Sequence, residues 1–311
     1  MIKIFILSVL LPDLVYTIVR STTETIQERN TNNNNECGIT SYYTESTNSL
    51  IPNGEYALPG QWPWVVALNR PLNLNNKYRF QCTGSILTNR HILTAATCLE
   101  LNTKYNDIMK VALGQFNLRH GSRVVGTVNR KVESYKIHPN ANWRTGDSDL
   151  AILILSMPVE FSPFIRPICL WSGSTDIENV VDRTGYVVGW ASNETITDVL
   201  VSEPRMLKMP IVNQTCLRSH DNHSSLTIFT EGTFCGYIGS LGLSGETNPC
   251  YGDIGSGLVL FDNSTGRYQL RGILSQFNLH RNRDWCGVGK YINYVDMANN
   301  TLWIQQQIST T

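Results

Sequence analysis

Apolar residues in this chain come in short runs. They cluster at Trp64–Leu68, Gly84–Leu87, Lys110–Leu113, Ala151–Leu155, Tyr186–Val188, Gly257–Phe261 and Arg271–Leu274, with Gly, Asn, Asp and Pro between them. Runs of this length, bounded by turn residues, predict many short strands and an all-β barrel or sandwich. No heptads and no solenoid-type repeat are visible, and only the segment from about 296 to 308 reads as a sizeable helix. At the other end, Met1-Ile2-Lys3 precedes an apolar run, Ile4–Leu11, that is too short to span a bilayer and is closed by Pro12 and Asp13. This predicts a signal peptide over residues 1–20, and hence a secreted, extracellular protein. A membrane anchor over Ile4–Val19 is disfavoured by Asp13. Residues 21–50 are polar, with an Asn run at Asn32–Asn35, and predict a flexible leader in which Cys37 is the residue able to tether it.

Composition narrows the picture. With 311 residues, 41% of them hydrophobic, the chain can bury one large core or two small ones. A formal net charge of zero gives the whole chain no bias toward nucleic acid or anionic membranes. Eight cysteines without CxxC pairs point to disulfides in an oxidising compartment rather than zinc. No carboxylate cluster of the kind that binds calcium stands out, so neither a metal nor a cofactor is expected. Sequons at Asn193, Asn213, Asn222, Asn263 and Asn299 are glycosylation candidates.

The segment Cys250-Tyr251-Gly252-Asp253-Ile254-Gly255-Ser256-Gly257-Leu258 resembles the nucleophile loop of chymotrypsin-family serine proteases, Cys-x-Gly-Asp-Ser-Gly-Gly-Pro-Leu. Ile51-Pro52-Asn53-Gly54 with Gly60-Gln61-Trp62-Pro63-Trp64 is similar to the start of the same domain, and Leu93-Thr94-Ala95-Ala96-Thr97-Cys98 to its histidine segment. The resemblance covers roughly residues 51–308. It implies two six-stranded antiparallel β-barrels, about 51–165 and 170–295, followed by a helix at about 296–308. It also implies the bridges Cys37–Cys169, Cys82–Cys98, Cys216–Cys235 and Cys250–Cys286, which use every cysteine.

The family's reaction needs a serine nucleophile, a histidine base and a buried aspartate that orients the histidine. The resemblance puts Thr97 at the histidine, Asp149 at the aspartate and Ile254 at the serine. A threonine hydroxyl takes up no proton near neutral pH, and an isoleucine has no atom to attack a carbonyl. The oxyanion-hole donors would be the N–H groups of Gly252 and Ile254, a relic without a nucleophile. No substitute emerges: His91 is expected to be a surface or rim histidine, Ser256 a small loop residue, and His138 part of a structural segment.

The specificity pocket would have Asn248 at its base and the Ser275-Gln276-Phe277 segment as a wall, with Phe277 partly filling it. Zymogens of this family are cut before the Ile of Ile-Val-x-Gly. Here Ser49-Leu50 stands upstream of Ile51, with no Lys or Arg between Arg29 and Arg70, and Pro52 removes a backbone donor. The loop from Gln115 to Lys136 is basic, through Arg119, Arg123, Arg130 and Lys131, and the resemblance to coagulation-type members of the family makes it a candidate partner-binding exosite. The resulting expectation is a secreted serine protease homologue without catalysis, acting by binding extracellular proteins such as proteases or their zymogens. The alternatives are an active serine-type endopeptidase with an unrecognised nucleophile, and a carbohydrate- or heparin-binding module on the same fold.

Overall fold

The computed structural model describes residues 37–40, 57–71, 78–100, 109–118, 126–142, 145–190, 203–212, 232–237, 253–277 and 291–311. Its first sheet is built from β1 (Val65–Pro71), β2 (Tyr78–Ile86), β3 (His91–Thr94), β4 (Lys110–Leu113), β5 (Val128–Ile137) and β6 (Ala151–Leu155). These six strands close on themselves in the order β1-β2-β3-β6-β5-β4. Closure leaves no open edge for another chain to pair with. Val66, Leu68, Ile92, Leu93, Leu113 and Leu153 are buried in its core, each removed from water at a gain of about 1.5–3 kcal/mol.

The second sheet comprises β7 (Cys169–Leu170), β8 (Thr184–Gly189), β9 (Arg205–Val212), β10 (Thr233–Tyr237), β11 (Gly257–Asp262), β12 (Arg267–Phe277) and β13 (Tyr291–Asp296). Its order is β11-β8-β9-β10-β13-β12-β7, and β11 also pairs with β12. Six antiparallel strands therefore close a second barrel, and β7 lies parallel to β12 at its side. The fold is the all-β, two-barrel architecture expected from the sequence, with a short terminal helix. A four-residue helix, α1 (Thr97–Glu100), follows β3. The terminal helix is α2 (Thr301–Ser309).

Two differences from the sequence reading have physical causes. Strand β5 reads VNRKVESYKI, and only Val132 in it is buried. With so few apolar side chains it lacked the alternation that marks a half-buried strand, and its pairing with β4 and β6 makes it one. The terminal helix starts at Thr301 rather than near 296, because Asp296 still belongs to β13 and its carboxylate is engaged by Arg271.

Among the described residues, those at 37–40 tie the predicted leader to the body. Cys37 is bridged to Cys169 and Cys82 to Cys98. Gly38 donates its N–H to Pro167 and accepts one from Tyr268, each at 2.8 Å. Its φ of 68° and the Tyr268 carbonyl lying where a Cβ would stand both require glycine there. Cys235 is also disulfide-bonded. Cys216, Cys250 and Cys286 lie outside the described residues, as do the predicted signal peptide and all of the predicted leader except residues 37–40.

Candidate functional site

Both barrels contribute to the surroundings of the Asp149 carboxylate. Asp149 lies two residues before β6 and is fully buried. Thr97 opens α1, so its backbone N–H has no partner within the helix and is available to an outside acceptor. That N–H donates to Asp149 Oδ1 at 2.7 Å, and the Thr97 hydroxyl donates to Oδ2 at 2.8 Å. From β12 of the second barrel, Ser275 Oγ donates to the same Oδ2 at 2.6 Å. Burial pushes the carboxyl pKa above its ordinary value; the bonds from Ser275, from Thr97 and from the Ala96 N–H pull it back without cancelling the effect.

Ile254 sits beside this cluster. Its side chain is buried in the main apolar core, and its carbonyl accepts the Thr83 N–H of β2 at 3.0 Å. Cys98 Sγ, next to Thr97 in sequence, lies 3.7 Å from that carbonyl oxygen. The loop is stapled to β12 as well: Gly255 donates to Leu274 at 2.8 Å and Leu274 to Ser256 at 2.9 Å. Gly255 has φ of 84°, and Thr94 Oγ1 and the Thr83 carbonyl crowd the place of its missing Cβ, so the loop can pass this close to the first barrel only with glycine. Asp253 and Ser256 are buried as well. Asp253 faces Gly189, whose lack of a side chain leaves room for its carboxylate.

The chemistry open to this arrangement is limited. Both oxygens of Asp149 accept neutral donors, and the Thr97 hydroxyl is spent on it as a donor. Of the histidines among the described residues, neither is bonded to Asp149. His91 is not the rim residue its position suggested: it is 5% exposed, and both ring nitrogens are engaged, Nδ1 by Thr88 Oγ1 and Nε2 by Thr311 Oγ1, each at 2.7 Å. Its pKa is lowered, first by burial and then by Arg90. The ring of His138 packs edge-on against Trp303, with centroids 4.7 Å apart, and its Nδ1 accepts the Asn140 N–H.

Ser275, which the resemblance puts in the pocket wall, donates its hydroxyl hydrogen to Asp149. Phe277 ends β12, its backbone opposite Ile292. Gly252, Asn248, Ile51, Pro52, Arg119, Arg123 and the sequons at Asn193, Asn213 and Asn222 lie outside the described residues. Asn263 and Asn299 are exposed. The Arg130 guanidinium, part of the basic segment, donates to the Pro158 carbonyl, and Lys131 stands directly opposite Lys110. An apolar hollow of about 140 Å³, lined by Leu58, Trp62, Phe116, Phe164 and Trp190 among others, includes none of Thr97, Asp149 or Ile254. Among the described residues no three His, Cys, Asp or Glu side chains converge to suit a metal ion, and no helix is long and apolar enough to cross a membrane.

Two barrels with a buried aspartate at the site they share are found together with a direct match of sequence: the family model described as Trypsin matches residues 51–304. The chain belongs to the trypsin family. Within that family it is 32% identical over 275 residues to Serine protease gd of Drosophila melanogaster, covering 79% of this chain and 50% of that protein. It is 32% identical over 236 residues to Clotting factor C of Tachypleus tridentatus, covering 73% of this chain and 22% of that one. To Venom serine protease Bi-VSP of Bombus ignitus it is 30% identical over 226 residues, 70% of this chain and 59% of that one. The chain thus spans between about a fifth and three fifths of these relatives' lengths. One feature of this trypsin-family domain escaped the sequence reading: the buried ion pair between Arg271 and Asp296. A signal existed, since Arg271 interrupts the apolar run Leu270 to Leu274 in mid-strand.

Proposed function

We propose that this chain is a secreted, catalytically inactive member of the trypsin family that acts by binding other proteins, as a cofactor, regulator or decoy in an extracellular protease cascade. The observation that carries the reading is the pair of bonds from Thr97 to Asp149, at 2.7 and 2.8 Å. In a working member the aspartate holds a histidine in the tautomer that accepts the nucleophile's proton. Here Thr97 is assigned the histidine position and meets the carboxylate with donors alone. Ile254 is assigned the serine position, and its side chain faces apolar core. Losing the serine or the histidine costs a protease with the same triad on a different fold about 10⁶-fold in rate.

The domain organisation goes with the reading: a signal peptide at 1–20, a leader at 21–50 held by Cys37, and the binding domain from 51 to 308. The names of the relatives, a clotting factor among them, support a place beside proteases that act on other proteins. A fluorophosphonate probe tests the inertness. The purified protein is expected to remain unlabelled under conditions that label trypsin completely. Labelling that maps to a peptide of this chain would refute the proposal.

A further inference from the structure

The register of the first barrel sets cations against one another. Lys110 on β4 stands directly opposite Lys131 on β5, and Arg70 on β1 directly opposite Arg79 on β2. Residues opposite one another on neighbouring strands hold their Cβ atoms about 4.5–5.5 Å apart, so like charges there repel. The two pairs are themselves adjacent: β1 pairs with β4, and Asn69, next to Arg70, stands opposite Lys110. Four strands at a spacing of about 4.8 Å hold all four positions within a width of about 14 Å. Of the four, only Lys131 belongs to the basic segment 115–136; strand pairing brings the other three to it.

Acids that would relieve the repulsion are missing from these strands. β1, β2 and β4 contain no Asp or Glu, and the acid of β5, Glu133, is bonded to Arg90 at 2.6 Å. None of the four cations has a carboxylate partner among the described residues. The chain as a whole balances 25 basic against 25 acidic residues, so the pattern is a local segregation of charge and not general basicity. Lys110 and Lys131 stand on the outer wall. Their neighbours Val111 and Val132 enter the barrel core, whereas Ala112, on the same side as Lys110, packs in a separate cluster with Phe80 and Trp190. Arg79 and Lys131 are exposed, Arg70 and Lys110 half-buried. The Lys110 ammonium lies over the Tyr78 ring, 3.8 Å from its centroid.

We propose that this face of the first barrel, centred on Arg70, Arg79, Lys110 and Lys131, docks an acidic segment of a partner protein. The proposal deepens the reading of the chain as a protein-binding member of its family and rests on it. Two unfavourable pairs side by side leave a positive surface that a ligand's carboxylates neutralise, and the guanidinium groups match carboxylates through paired N–H donors. Tyr135 and Ile137, 36% and 40% exposed on the same strand as Lys131, favour a polypeptide over a sulfated polysaccharide. They offer apolar surface that a protein's side chains can cover and sulfates cannot.

Binding of a fluorescein-labelled oligo-glutamate peptide to the full chain tests this, read by anisotropy at about 50 and 300 mM NaCl. Saturable binding is expected at the lower salt, weakened by about tenfold at the higher. Lys110→Gln with Lys131→Gln is expected to weaken it by about tenfold as well, and adding Arg70→Gln and Arg79→Gln to abolish it. Arg183, beside β8, and Lys208 on β9 are exposed cations of the second sheet, and changing both to Gln is expected to leave binding unchanged. Lys131→Glu alone should raise the urea midpoint, because it turns a repulsive pair into an attractive one. Absence of saturable binding at the lower salt overturns the proposal. So does unweakened binding in Lys110→Gln with Lys131→Gln, or an equal loss in the Arg183 and Lys208 variant. A heparin fragment that displaces the peptide at lower charge concentration would assign the face to a sulfated polysaccharide and overturn it too. Fluorophosphonate labelling is read separately: a chain that binds the peptide and is also labelled keeps this surface and loses only the inertness.

Discussion

Asp149 and Asp296 are both buried carboxylates, and the molecule supports them in opposite ways. Asp149 takes its hydrogen bonds from neutral groups, the N–H groups of Thr97 and Ala96 and the hydroxyls of Thr97 and Ser275. Asp296 takes a full positive charge, Arg271, which is itself fully buried and lies over the rings of Trp171 and Phe234 at 5.1 and 5.3 Å. It also accepts the Ala298 N–H at 2.8 Å, which fixes the turn into α2. A carboxylate held by neutral donors can respond to the loss of one by taking up a proton. A buried guanidinium has no such escape, because it does not deprotonate. The first site is therefore free to change its partners, and the second is locked to its own.

Breaking the locked pair should have the largest effect. Asp296→Asn leaves Arg271 charged in the core without its counter-charge, where the Nε and Nη2 groups have no hydrogen-bond partner among the described residues. The expected loss is about 3–5 kcal/mol of stability, read from the urea midpoint. Adding Arg271→Met to that variant removes the stranded charge, and the double variant is expected to recover most of the loss or all of it. A double variant as unstable as Asp296→Asn alone would show that the guanidinium's packing matters more than its charge.

At Asp149 the effects should be smaller. Thr97→Val deletes one hydroxyl donor, keeps the backbone one, and is expected to cost about 1–2 kcal/mol near neutral pH; Thr97→Ser is expected to cost much less. The pH dependence gives the sharper reading. A carboxyl whose folded pKa lies above its ordinary 3.8 binds more protons folded than unfolded. Its contribution to stability is thus greatest at low pH and declines as pH rises from 3.8 through the folded value. Thr97→Val raises that value further, so the decline should extend to higher pH, and Ser275→Ala should act in the same direction. If either variant shifts the decline downward, the hydroxyl concerned is not stabilising the ionised carboxylate.

The same contrast explains what the sequence disclosed. Asp149 could be found because Asp149-Leu150-Ala151-Ile152-Leu153 is a local pattern, and the strand after it is continuously apolar. The Thr97 position was legible for the same reason, through Thr94-Ala95-Ala96-Thr97-Cys98. The bond from Ser275 to Asp149 was not foreseen, because a motif gives position along a strand but not where a hydroxyl turns. The Arg271–Asp296 pair spans 25 residues, and the His91–Thr311 bond spans 220. No local pattern connects such partners: the pairing of β12 with β13 brings the first two together, and the packing of the residues after α2 against β3 the second two. Strand β5 was hidden by composition, since tertiary pairing overrides weak alternation.

The central claim is that Asp149 serves structure in this chain and not catalysis. Amide hydrolysis measured on the purified chain beside its Asp149→Asn variant tests it most directly. Because a contaminating protease would act equally in both preparations, the difference between them is the quantity that matters. The account predicts no difference, with any residual rate the same in each. A rate that falls on Asp149→Asn, in a variant shown to be folded, would mean that the carboxylate still orients a working base, and would contradict the account.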